Sequence, residues 1–223
     1  MLFFSGCERE YAVTPDREPG RLPAPVSNGN MSVEEAISMR RSVREYADEP
    51  LSIAEISQIL WAAQGISKGR LRTVPSAGAL YPLKLYIVCG DTADIAPGVY
   101  EYEPSNHRIY LVAGGDMRDE LYAAAMSQPP VKTAPASLVI AADFDWTTGK
   151  YGERGKNYVY MEAGHAAQNV YLQAVSLGLG TVSIGAFDDA AIQKTVGMGN
   201  GETPLYIMPV GRPSEGQQKN PQM

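Results

Sequence analysis

Apolar positions along this chain keep two different periods, and the places where the period changes mark out the elements. Ser32 followed three residues later by Glu35 has the form of a capping box, and the apolar positions after it, Val33, Ala36, Ile37 and Met39, predict a helix running up to Arg40. Ser52 and Glu55 repeat the device. The helix they predict, Ile53 to Gln64, places Ile53, Ile56, Ile59 and Leu60 on one side, extends that side with Trp61, and stops at Gly65. The mostly apolar run Leu83 to Cys89 predicts a strand, and Gly98 to Glu103 with Arg108 to Val112 predict a hairpin turning at Pro104-Ser105-Asn106-His107. A helix over Asp116 to Met126 is expected next, then a short buried strand over Ser137 to Ala142. Tyr158 to Leu177 has helical spacing with Gly178 as its stop, and Thr181 to Ile184 and Leu205 to Val210 are strand candidates around a short helix at Asp189 to Val196.

Strands and helices mix here without a regular βαβ alternation, which favours the α+β class, a mixed sheet flanked by helices, over a doubly wound fold. No internal repeat is visible. The long helix carries Ala163, Gly164, Ala166, Ala167 and Ala174, small side chains that let another helix approach closely. A helix of this character has to be covered on most sides. Burial inside one domain would cover it, and so would a homodimer interface; the expectation is the homodimer.

Composition narrows the function. At 223 residues and 44% hydrophobic content the chain can bury one good core. The expected organisation is a tether over residues 1–30, one domain over 31–213 and a tail over 214–223. A net charge of −6 argues against a nucleic-acid partner, which would require a broad basic stripe, so any anion site must be local. The cysteines, Cys7 and Cys89, are too unlike in setting for a disulfide or a cysteine metal site, and Cys89 reads as a small buried hydrophobe. No apolar run approaches the roughly 18 to 20 residues of a spanning helix. Leu2-Phe3-Phe4-Ser5-Gly6-Cys7 looks like the end of a bacterial lipoprotein signal, although it would need a start upstream of Met1 to work. On that reading the protein meets a membrane through lipid on Cys7; on the other, it has a frayed apolar terminus and is cytoplasmic. The proline-rich residues Glu8 to Asn30 read as linker.

Candidate chemistry gathers first at Arg40-Arg41-Ser42-Val43-Arg44. Three guanidiniums and a hydroxyl at a helix end on an acidic protein suit a phosphorylated cofactor, because the planar fork of Arg matches phosphate oxygens two at a time; a solvated helix end is the alternative. Gly211-Arg212-Pro213, past the last strand, puts another guanidinium where it could reach the same phosphate. Pro75-Ser76-Ala77-Gly78-Ala79-Leu80-Tyr81-Pro82 lies between a helix and a strand, with two prolines fixing the path and Gly78 allowing close approach to a flat ligand. Gly178-Leu179-Gly180-Thr181-Val182-Ser183 is no dinucleotide fingerprint, since it follows a helix and enters a strand, the reverse of the order required. Glu162-x-x-His165 has di-iron spacing, but such sites need two copies and further glutamates, so no metal is expected. No Gly-x-Ser-x-Gly elbow supports a serine hydrolase.

Taken together, Arg40-Arg41-Ser42-Val43-Arg44, Pro75 to Pro82, Gly178-Leu179-Gly180 through Gly185-Ala186-Phe187, and Pro209-Val210-Gly211-Arg212 stand in the nitroreductase order, and Ser32 to Pro213 resembles that superfamily. Within it, the Pro75 to Pro82 loop, Gly98-Val99-Tyr100-Glu101-Tyr102, Lys150-Tyr151-Gly152 and Glu162-Ala163-Gly164-His165 with Gln168-Asn169 are similar to the SagB-type, thiazole/oxazole oxidase-like branch. The resemblance implies a nitroreductase-like α+β fold and a homodimer holding FMN at its interface. Arg40, Arg41, Ser42 and Arg44 would contact phosphate, ribityl and ring edge, with Arg212, beside Gly211, as a second phosphate partner. Pro75, Ser76, Ala77 and Gly78 would come from the partner chain against the ring, and Ile184, Gly185 and Ala186 would lie along its face. A guanidinium such as Arg44 at the ring edge would favour the reduced flavin. Lys150-Tyr151 matches a pair thought to remove a substrate proton in azoline-oxidising members. Three functions follow as expectations: hydride transfer from NAD(P)H through FMN to a small organic acceptor by a ping-pong mechanism, oxidation of an azoline-type heterocycle with oxygen, or a non-catalytic anchored flavin-binding lipoprotein.

Overall fold

The computed structural model describes residues 19–219, so the lipoprotein-like Cys7 and the first part of the expected tether lie outside the described residues. From residue 19 the chain runs through β1 (Pro19–Arg21), α1 (Val33–Met39), α2 (Ile53–Gln64), a small hairpin of β2 (Ile66–Lys68) and β3 (Leu71–Arg72), a single 3-10 turn (Ala77–Ala79) and β4 (Leu83–Cys89). Next come β5 (Gly98–Glu103), β6 (Arg108–Gly114), α3 (Arg118–Ala124), α4 (Pro129–Thr133), β7 (Ala136–Asp143) and α5 (Asp145–Tyr151). The long helix α6 (Arg154–Ser176) leads to β8 (Gly180–Thr181), α7 (Asp189–Val196), β9 (Glu202–Gly211) and α8 (Glu215–Lys219).

Seven strands form the main sheet in the order β1-β6-β5-β4-β7-β9-β8. Its strand pairs are antiparallel, and a parallel bridge between Ser42 and Thr181 extends the pairing beyond β8. The period-2 alternation of the central strands decides the layers. Leu83, Leu85, Ile87 and Cys89 of β4 join Ile56, Ile59 and Leu60 of α2 and Val159, Ala163, Ala166 and Val170 of α6 in one apolar layer. Tyr86 and Val88 join Leu121 of α3, Val131 of α4 and Ile192 and Val196 of α7 in the other. At about 2 kcal/mol for each fully buried aliphatic side chain, the larger α2–α6 layer contributes most of the apolar stabilisation.

Local rules explain most boundaries. At α2 both arms of the capping box are present: Ser52 Oγ accepts from the Glu55 N–H, and the Glu55 carboxylate accepts from the Ser52 N–H at 2.8 Å. At α1, Ser32 Oγ accepts from the Glu35 N–H at 3.1 Å. Helix α6 starts at Arg154, earlier than the apolar spacing indicates, because its first turn is polar and outward and Gly155 packs directly on the Thr147 backbone. It ends as expected at Gly178, which adopts a φ of +70°. Helix α3 is shorter than expected, since Met126 and Ser127 turn the chain at φ values of +54° and +55°. Helices α4 and α5 carry too little apolar periodicity to be read from the pattern.

Two expectations change. From residue 19 on, the segment read as tether belongs to the fold. Strand β1 pairs with β6, Leu22 is buried, and Val26 exchanges two hydrogen bonds with the Gln58 side chain at 2.8 and 2.9 Å. His107 fastens this strap further: its Nδ1 pairs with the Tyr102 hydroxyl at 2.8 Å, and its Nε2 reaches Pro23 O at 3.0 Å. The apolar stripe of α1 also faces outward. Only Ala36 is buried there, while Val33, Ile37 and Met39 are 65%, 57% and 52% exposed.

Candidate active site

Two clusters of polar side chains sit at different heights on α6. The first surrounds Tyr171. Just past α1 the chain straightens, Val43 N donates to Thr181 O at 2.9 Å, and Ser42 lies beside Thr181. The approach is so close that a Cβ on Gly180 would collide with Val43. Tyr171 ties the parts together: its hydroxyl pairs with Ser42 Oγ at 3.2 Å and accepts from the Ser183 N–H at 2.8 Å, while the Arg40 guanidinium stacks 5.2 Å above its ring. Tyr46 fastens the Arg segment to β9 by donating to Val43 O at 2.9 Å and Pro209 O at 3.0 Å, with its ring against Gly211. Burial drives the Tyr46 hydroxyl pKa well up, so it remains a donor.

A cavity of about 420 Å³ opens beside this cluster, lined by Arg41, Val43, Tyr171, Gly180, Thr181 and Pro213 among others. Thr181 Oγ1 is buried and has no hydrogen-bond partner. A native hydroxyl in that condition is rare and costs about 1–3 kcal/mol. Ile184 continues from the same strand edge, exchanging backbone bonds with Ile207 at 2.8 and 2.9 Å. Gly185 and Ala186 are exposed, and Ala186 O accepts from Gln128 Nε2 at 2.8 Å.

Arg212 takes a different direction from the one expected. Its Nε meets Glu49 at 3.0 Å and its NH2 meets Glu55 at 2.8 Å, so the guanidinium closes onto the start of α2. Burial alone would raise the Glu55 pKa, but the hydrogen bonds from Ser52 and Arg212 outweigh it and hold the carboxyl below its ordinary range. The remaining arm, NH1, is buried without a partner.

The second cluster surrounds the Pro75 to Pro82 loop. Within it Gly78, Ala79 and Tyr81 adopt φ values of +63°, +54° and +51°, a conformation that side chains disfavour and that the surroundings must enforce. Ser76 Oγ braces the turn by accepting from the Tyr81 N–H at 2.9 Å. Gly78 is exposed, and a Cβ placed on it would lie 2.8 Å from both Lys150 Nζ and Tyr151 OH. The two side chains at the end of α5 therefore converge on one backbone position. Behind the loop, Glu162 is 3% exposed. Burial pushes its carboxyl up to about 7, against the lowering effects of Ser76, Arg72 and Gln64. Arg72 donates to Gln64 Oε1 at 2.9 Å and stacks 4.7 Å above the Tyr81 ring.

The structure brings Ser42 beside Thr181 and Ser183, on the edge that continues to Ile184, and brings Lys150 and Tyr151 beside Gly78, a proximity that sequence reasoning did not state. Sequence reasoning also missed Tyr171, Thr181, Gln64 and Arg72. Nothing in their spacing marks them, because their partners come from other elements. Glu162 had been considered for metal spacing and as part of the SagB-type resemblance; His165 is exposed, and among the described residues no group of three or more His, Cys, Asp or Glu side chains is arranged to hold a metal.

The comparisons agree with this architecture. The nitroreductase family model matches residues 37–212, and the chain belongs to that family. A relative from Methanocaldococcus jannaschii, named as a nitroreductase, is 48% identical over 186 residues, covering 83% of this chain and 93% of its own length. A crystal structure from Anabaena variabilis, described as a nitroreductase, superposes with a TM-score of 0.81 at 27% identity, covering 96% of this chain and 45% of that one. The chain thus spans less than half of that larger protein. A chain of the Escherichia coli microcin synthetase McbBCD complex shares the fold, with a TM-score of 0.68 at 23% identity over 93% of this chain and 79% of that one. The fold is nitroreductase-like α+β, and the family makes the protein an oxidoreductase.

Proposed function

We propose that this protein is an FMN-dependent oxidoreductase working as a homodimer, with each site assembled from the Tyr171 cluster of one copy and the Gly78 loop of the other. The carrying observation is the cavity at the end of the Arg segment, lined by Arg41, Tyr171, Gly180 and Thr181 among others. Tyr171 and Glu162 stand nine residues apart on α6, about 13 Å along the axis, which supports two half-sites completed by a second copy. The outward apolar stripe of α1, with Tyr160 and Met161 of α6 at 56% and 52% exposure, supports the same arrangement.

The residues present fit the cofactor. Arg40, Arg41, Ser42 and Arg44 would hold its phosphate, ribityl chain and ring edge, with Arg212 as a second phosphate partner. Gly185 and Ala186, exposed beside buried Ile184, would border the ring, with Pro75, Ser76, Ala77 and Gly78 of the second copy opposite. When bound, FMN supplies hydride or electron-pair exchange between NAD(P)H and a small organic acceptor, in ping-pong order because donor and acceptor share one pocket. Lys150 Nζ and Tyr151 OH, both at the Gly78 surface, would hold or move a proton on the acceptor. An absorption spectrum followed by anaerobic titration with NADH and NADPH tests the reading; protein that stays colourless after FMN reconstitution overturns it.

The convergence of Lys150 and Tyr151 on Gly78 favours a second reading, oxidation of an azoline-type heterocycle with oxygen, in which the pair removes a substrate proton. Oxygen consumption without nicotinamide, and no anaerobic bleaching by NAD(P)H, would select it.

A further inference from the structure

A second cavity, of about 920 Å³, lies between the β2–β3 hairpin, the β5–β6 turn and the Gly78 turn, lined by Trp61, Arg70, Arg72, Ala79, Tyr81 and His107 among others. Two of its walls are rings whose polar atoms are already engaged. Trp61 Nε1 donates to Ile66 O at 3.1 Å, while His107 meets the Tyr102 hydroxyl through Nδ1 at 2.8 Å and Pro23 O through Nε2 at 3.0 Å. These rings are held in place and offer carbon rather than hydrogen bonds. The third ring belongs to Tyr81, which stands at a φ of +51° with its N–H donating to Ser76 Oγ at 2.9 Å, so the constrained turn sets where that ring lies.

Beside this carbon surface the cavity sets charge of one sign. Arg70 and Arg72 line it and no Asp or Glu is among its described lining residues, on a chain whose net charge is −6. Arg72 is oriented in advance, since its NH1 donates to Gln64 Oε1 at 2.9 Å while the guanidinium lies 4.7 Å above the Tyr81 ring. A guanidinium with such partners still carries its charge, and that charge is what it brings to the cavity. We propose that this cavity is a binding site for a planar aromatic anion, of which an aryl carboxylate is the simplest, with its ring against Trp61 and Tyr81 and its anionic group toward Arg70 and Arg72. The volume suits a small ligand of two fused rings. Ala79 and Tyr81 adjoin the turn on which Lys150 and Tyr151 converge, so the ligand belongs to the acceptor class of the enzyme proposed above. That last identification rests on the FMN reading; the binding site does not.

Calorimetric titration of the protein as purified with 2-naphthoate and with the neutral 2-naphthamide tests the proposal. The acid should bind at least about tenfold more tightly than the amide, and that margin should shrink as salt rises from about 0.02 M to about 0.5 M. Arg70→Gln, at the exposed tip of the β2–β3 hairpin, should cut the margin at least about threefold, whereas Arg70→Lys should keep most of it. Tyr81→Leu should weaken acid and amide alike, and Lys132→Gln on α4, a charge control on the other layer, should change neither. Equal binding of acid and amide, binding of neither, or a margin that survives in both Arg70→Gln and Arg72→Gln overturns the proposal. So does competitive displacement of the acid by FMN, which would assign the cavity to the cofactor. A parallel FMN titration separates the two ideas: flavin binding without naphthoate binding rejects this site alone, and naphthoate binding without flavin binding rejects the cofactor reading alone.

Discussion

Around Tyr171 the site consists of guanidiniums and backbone bridged to a sheet edge, whereas around Glu162 it consists of titratable side chains beneath a loop held at positive φ. Arg keeps its charge at any pH a protein meets, so the charge of the first half does not change with pH. The second half contains groups able to exchange protons and a backbone that pays for its shape through its neighbours. The contrast suggests a division of labour, with binding on one side and proton handling on the other.

The sharpest break in that division should come at α5. Lys150→Met and Tyr151→Phe are each expected to lower turnover about 100-fold or more, the scale of a lost acid–base group, while FMN affinity measured by fluorescence titration stays nearly constant. If affinity falls and turnover at saturating FMN does not, the assignment of roles is reversed. Arg40→Ala is the mirror experiment. Loss of a charge-assisted contact worth about 2–3 kcal/mol should weaken FMN binding about 30-fold or more, with an unchanged far-UV circular dichroism spectrum.

Glu162 gives a signature that the arginines cannot. Its folded-state carboxyl lies at about 7, above the usual 4.5, so the stability it contributes is full below about 4.5 and is lost as pH rises through about 7. Relative to the wild type, Glu162→Gln should therefore gain in stability between pH 4 and pH 8, by at most about 3 kcal/mol, as read by urea denaturation. The smallest effect is expected at Gly78. With φ at +63° and a Cβ that would press on Lys150 and Tyr151, Gly78→Ala should cost about 1–2 kcal/mol in thermal denaturation and displace both side chains.

Much of the fold was legible beforehand because it follows from local rules. Strand β4 at Leu83–Cys89, strand β5 at Gly98–Glu103, helix α2 with its capping box and helix α7 at Asp189–Val196 lie where periodicity and end signals put them. Helices α4 and α5 and the small β2–β3 hairpin did not announce themselves, being too short for a period to develop. The strap at residues 19–26 looked like a linker because its anchors, the β6 edge, Gln58 and His107, are supplied from far along the chain.

Residue order alone determined the class of fold, the Arg segment at a helix end, the glycine-bearing loop and the Lys150–Tyr151 pair. Each depends on neighbours within a few residues, where propensity, capping and turn chemistry act. Only the tertiary structure decided that Tyr171 joins Ser42 to Ser183, that Arg212 closes on Glu49 and Glu55, and that Glu162 is buried. Those facts depend on which groups lose water together, and desolvation is a property of the packed fold rather than of any stretch of sequence.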